Sequence, residues 1–90
     1  MDKFCKLFET EKYGQILVKL DRAYNNDGAE LRIYVQPEGL GVCSIATLYG
    51  DTERDWARAE SALANLDQAK AERVAASIFK VTAQLPIRRG

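Results

Sequence analysis

The chain has 90 residues, 13 of them basic and 13 acidic, for a formal net charge of zero, with 47% hydrophobic and 29% charged side chains. This length and balance predict one soluble globular domain over residues 1–90, burying roughly 60–65% of its unfolded surface and too small for a deep enclosed active site. Zero net charge argues against a protein held to nucleic acid by phosphate neutralisation, and the absence of histidine removes Ser–His–Asp and Cys–His catalysis and His-ligated metals.

Asp2 is placed to cap a short N-terminal helix reaching about Phe8, which would turn Phe4, Leu7 and Phe8 toward the body. From Tyr13 the pattern changes to period two. Ile16, Val18 and Leu20 share one face, opposite Gln15, Leu17, Lys19 and Asp21. This predicts a strand over about 13–22. Asn25-Asn26-Asp27-Gly28 follows, and Asp-Gly is a strong hairpin signal because both residues tolerate positive φ. Leu31, Ile33 and Val35 then alternate with Arg32, Tyr34 and Gln36, a second half-buried strand over about 30–36. A third strand is expected over about 42–49, with apolar residues on both of its faces. The three would form an antiparallel meander.

The second half reads as helical. Thr52 with Asp55 three residues on forms a capping-box pattern. Trp56, Ala59, Leu63 and Leu66 recur at helical spacing, so the first helix covers about 53–65. Asp67 would cap a second helix over about 68–85, with Ala71, Val74, Ile78, Val81 and Leu85 as its apolar stripe and Pro86 as its stop; the alternative is a single bent helix from Thr52 to Leu85. The fold class is therefore α+β: a three-stranded meander packed against two C-terminal helices.

The stretch QPEGLGVCS, residues 36–44, looks at first like a phosphate cradle or the approach to a reactive thiol. A cradle needs a helix start after the glycines, and here a β-prone segment follows. Pro37-Glu38-Gly39 instead suits a turn, since Pro fixes φ and Gly relaxes it. Cys43 has neither a histidine nor a helix N-terminus to lower its pKa. Cys5 and Cys43 read as small packed residues of a reduced, cytoplasmic protein. Asp51, Glu53 and Asp55 could suggest a cation site, but helix capping accounts for them. No catalytic residue, cofactor site or metal ligand is assigned. No segment approaches the roughly 20 apolar residues of a membrane span, and the first residues lack a secretory signal's apolar run.

The outward face of the hairpin is the candidate binding surface. Lys19, Arg32, Tyr34 and Gln36 project there beside Leu17, and Tyr and Arg are enriched at interface hot spots. Two short helices cannot cover both faces of the sheet, so this face is left for a target or for a second copy of the chain.

The order YGQILVKLD, LRIYVQPEGLGVCSIA and GDTERDWARAESAL resembles small accessory proteins of bacteriophages and prophages. The resemblance spans roughly residues 13–75 and rests on packing and turn motifs. The size and layout are also similar to phage anti-CRISPR proteins. The resemblance implies a non-enzymatic inhibitor that occludes a host protein complex, such as a CRISPR–Cas ribonucleoprotein, in the bacterial cytoplasm. It transfers no functional residue. The alternative is a nucleic-acid accessory protein using the sheet face with Arg88 and Arg89.

Overall fold

The computed structural model describes residues 4–24, 28–37 and 39–83. Four strands, β1 (Cys5–Thr10), β2 (Gly14–Arg22), β3 (Ala29–Val35) and β4 (Cys43–Gly50), precede two helices, α1 (Glu53–Asn65) and α2 (Gln68–Ala83). The strands form one antiparallel sheet in the order β1-β2-β3-β4. The fold is α+β, as the residue pattern predicts, but the sheet has four strands rather than three.

The expected N-terminal helix is the extra strand. Phe4, Leu7 and Phe8 fit a helical stripe, yet Phe4, Lys6 and Phe8 fit a period-two face equally well. A segment this short cannot recover the cost of helix nucleation by itself, whereas β2 offers it a row of unpaired backbone groups. Cys5 pairs with Lys19, Leu7 with Leu17 and Phe8 with Ile16, and the Leu20 amide donates to the Phe4 carbonyl at 2.8 Å. The connecting loop is tight. The Tyr13 amide donates to Thr10 Oγ1 at 2.9 Å, that hydroxyl donates to the Gly14 carbonyl at 2.9 Å, and Gly14 takes φ +69°. Lys6, on the helix side of β1, donates to the Ala64 and Leu66 carbonyls, each at 3.0 Å. It thereby places a cation at the negative end of α1, whose own last turn carries no basic residue.

Both helices lie on one side of the sheet. Ile16, Val18, Leu20, Leu31, Ile33 and Val35 are buried against Ala59 and Leu63 of α1 and Ala71, Ala75 and Ile78 of α2. The helical alanines let the backbones come close to the aliphatic sheet surface. Each fully buried Val or Ile contributes about 1.5–3 kcal/mol. Tyr13 meets Phe79 edge to face, with ring centroids 5.1 Å apart, tying the first hairpin to α2.

The segment after β4 forms two helices with a break at Leu66-Asp67. The capping box is present at α1: the Asp55 amide donates to Thr52 Oγ1 at 3.0 Å, and the Thr52 amide donates to Asp55 Oδ2 at 3.2 Å. Asp67 caps α2 by accepting from the Lys70 amide at 2.9 Å. The expected helix end near Leu85 lies outside the described residues, as does the Asn25–Asp27 turn. On either side of those three residues, the Ala23 amide donates to the Gly28 carbonyl at 2.8 Å. The Pro37–Leu40 turn is closed by the Leu40 amide on the Pro37 carbonyl at 3.1 Å, with Gly39 at φ +79°.

Gly28 holds φ +101°, and a Cβ there would collide with the Gly50 carbonyl where β4 ends beside it. Gly28→Ala should therefore cost about 2 kcal/mol or more, read as a lowered urea midpoint with unchanged slope. Gly41 has open space around it, so Gly41→Ala should stay within about 0.5 kcal/mol of the parent. Thr52→Ala removes one half of the α1 cap and should cost about 1 kcal/mol in the same measurement.

Candidate binding surface on the open sheet face

Because both helices take one face, alternation along each strand assigns every other side chain to the opposite, open face. Cross-strand register organises these into rows. Leu7, Leu17, Tyr34 and Ser44 form one, and Cys5, Lys19, Arg32 and Ala46 the next. Asp21, Glu30 and Leu48 form a third. Lys19, Arg32 and Tyr34 thus stand together on one face as the alternation predicts, with the exposed Gln36 just beyond the end of β3.

The face is chemically divided. Toward the β1–β2 turn lies a shallow apolar cleft of about 600 Å³, lined by Leu7, Tyr13, Leu17, Tyr34, Gln36 and Val42 among others. Toward the other end lies a polar concavity of about 410 Å³, with Lys19, Asp21, Glu30, Arg32 and Tyr34 in its wall. Tyr34 borders both. Its ring offers apolar area and its hydroxyl a polar handle, which suits the junction between an apolar and a charged region.

Arg32 is not the free cation that its position in the sequence suggests. Its Nε and Nη2 donate to the two carboxylate oxygens of Glu30, both at 2.9 Å, and its Nη1 donates to Ser44 Oγ at 2.8 Å. The i,i+2 spacing puts the two side chains on one face of β3, and bidentate geometry fixes the guanidinium plane. The hydrogen bond from Arg32 holds the Glu30 carboxyl below the usual range, and Glu30 in turn raises Arg32. Lys19, directly opposite Arg32 on β2, is exposed and forms no salt bridge among the described residues.

The sequence reading missed several members of this face. Leu7 and Cys5 fall within the expected N-terminal helix; their alternation with Lys6 and Phe8 is the signal that places them on a strand. Glu30 could have been found from its spacing to Arg32. Ser44, Ala46 and Leu48 required the register of β4, which resolves the ambiguity of that strand by pairing Val35 with Cys43, Ile33 with Ile45 and Leu31 with Thr47 on the helix side.

The other candidates resolve as structural features. Cys43 is half-buried beside the core, with Sγ 3.6 Å from the Gly41 carbonyl. Asp51 does not cap α1 as expected. It accepts from Trp56 Nε1 at 3.0 Å and pairs with Arg22 at 3.1 Å, while the Arg22 guanidinium lies 5.3 Å from the Trp56 ring centroid. Asp51 and Asp55 are both held below the usual aspartate range, by the Trp56 N–H and by Thr52 respectively. Among the described residues, no group of three or more Cys, Asp or Glu side chains is arranged to hold a metal ion, and no helix is long and apolar enough to cross a membrane.

A carboxylate with a depressed pKa stabilises the fold fully above its unfolded value, and the contribution fades as pH falls through the folded value. For Glu30 that loss should therefore begin as pH falls through the ordinary glutamate range and be complete only below it. In Arg32→Ala the carboxyl resonance of Glu30, followed by NMR, should titrate at higher pH than in the parent chain.

No protein-family model, curated protein sequence or solved structure matches this chain.

Proposed function

We propose that this protein is a non-enzymatic binding protein of phage or prophage type, which inhibits a host defence complex of the CRISPR–Cas kind by covering part of its surface. The observation that carries this reading is the open sheet face. It presents an apolar cleft and a polar concavity side by side, with Tyr34 between them and the Arg32 guanidinium already oriented by Glu30 and Ser44. An anchor ordered before binding loses little side-chain entropy on association, and such groups dominate interface energetics. The resemblance to phage accessory proteins supplies the class of target.

A nucleic-acid accessory role is less well supported. Arg32 is neutralised by Glu30, and Asp21 sits on the same face, so a phosphate backbone would meet two carboxylates there. Arg88 and Arg89, the other basic residues of that reading, lie outside the described residues.

The test is capture of a purified CRISPR–Cas ribonucleoprotein by the immobilised chain at low and high salt. Binding that survives high salt is expected, because few counterions are released at a neutral face. Tyr34→Ala and Arg32→Ala should each weaken capture by about 1–3 kcal/mol while far-UV circular dichroism stays unchanged. Retention of full affinity by the double variant would exclude this face, and tight salt-sensitive binding to DNA or RNA alone would favour the alternative.

A further inference from the structure

The two edge strands of the sheet are built differently. β1 carries Lys6 and Glu9, and Lys6 is drawn across to the end of α1. β4 reads CSIATLYG over eight residues, without a charge or a proline. Charged residues and prolines are the usual means of keeping a strand edge from pairing with another chain. Among the described residues β4 has β3 as its only strand neighbour. The extra residue that bulges it, Tyr49, sits at its far end, where Glu30 pairs with Leu48 and Ala29 with Gly50. The stretch from Cys43 to Leu48 is left regular.

Exposed aliphatic side chains flank this edge on both sides of the sheet. On the helix side, Ile45 is 49% exposed and Val81 of α2 is 58% exposed. They border an apolar cleft of about 220 Å³ together with Cys43 and Ile78. Beside the open face, Val42 is 65% and Leu48 56% exposed. No charged side chain lines the cleft between β4 and α2.

We propose that the β4 edge is a self-pairing interface. Two copies of the chain join antiparallel along residues 42–48, about a two-fold axis at Ile45, into one continuous sheet. A two-fold axis perpendicular to the sheet keeps helix face on helix face, which restricts pairing to residues of matching orientation. Centred on Ile45, the register sets Ile45 against Ile45, Cys43 against Thr47, Ser44 against Ala46, and Val42 against Leu48. The two Val81 side chains flank the Ile45 pair. Every exposed aliphatic group at the edge then meets an apolar partner. Centred on Thr47 instead, Val42 would be left without one.

Electrostatics favours a second copy over an arbitrary partner. Self-pairing of a surface brings each charge near its own image; β4 itself carries none, and the Arg32 guanidinium that reaches Ser44 is already paired with Glu30. Four half-exposed aliphatic side chains supply roughly 400 Å² per copy, about half of what each partner gives a standard interface. The strand's unpaired backbone groups and the Ser44 and Thr47 side chains add to that area. The dimer should accordingly be reversible at micromolar concentration.

Sedimentation equilibrium on the full chain tests this. A mass rising from monomer to dimer through the micromolar range is expected. Ile45→Lys should raise the dissociation constant at least tenfold, with circular dichroism unchanged because the side chain is half exposed. For the register, a chain carrying Cys5→Ser, Cys43→Ser and Ile45→Cys should give a disulfide-linked dimer on mild oxidation. The same background with Leu7→Cys in place of Ile45→Cys should not. A monomer at all concentrations overturns the proposal. So does a dimer indifferent to Ile45→Lys, or equal cross-linking through Leu7→Cys. If the parent chain is itself monomeric, loss of target capture in Ile45→Lys would assign the edge to an extended segment of another protein.

Discussion

The aliphatic seam of β2 and β3 is the constraint from which the other features follow. Ile16, Val18 and Leu20 face the same way as Leu31, Ile33 and Val35, since Val18 pairs with Ile33 and Leu20 with Leu31. These six side chains are buried and have to be covered from one side. The apolar stripes of α1 and α2, the two helices among the described residues, are both used for this. With both helices committed, the reverse face must meet water or another molecule. The asymmetry that defines the candidate binding surface is thus a consequence of core packing. It needs no separate specification beyond period-two alternation.

Peripheral parts of the fold are fastened to this core by polar contacts between segments distant in sequence. Lys6 donates across the structure to the last carbonyls of α1. Arg22, Asp51 and Trp56 join the end of β2 to the start of α1. Gly28 and Gly50 allow two backbones to touch where β3 begins and β4 ends. In a chain this small, with little surplus burial to stabilise its periphery, such contacts set which element lies against which. Among the described residues no polar or charged side chain is buried, so specificity of arrangement rests on these surface contacts and on the tight turns.

Charge on the open face is arranged by pairing rather than by excess. Glu30 fixes Arg32, and the pair leaves a planar, oriented donor system beside Tyr34 at the border of an apolar cleft. Surface ion pairs of this kind contribute little to stability. Their effect here is geometric: Arg32 is held in one orientation by Glu30 and Ser44. β4 is the opposite case, a strand without a charged residue that has, among the described residues, a strand neighbour on one side only.

What the sequence determined by itself is what depends on near neighbours. Alternation in residues 16–20 and 31–35, the Thr52/Asp55 box and the Asp67 cap are local patterns with local causes, and each is found in the structure where its residues predict it. They suffice to place Lys19, Arg32 and Tyr34 on one outward face. Tertiary structure decided the elements whose local signals are degenerate. Residues 4–8 fit a helical stripe and a strand alike, and the free edge of β2 selected the strand. Residues 42–49 are apolar on both sides, and only pairing with β3 assigned their faces. The partners of Arg32, Asp51 and Lys6 likewise come from packing. The length of a side chain and the register of a neighbouring strand set those contacts, and neither is visible in the order of residues along the chain.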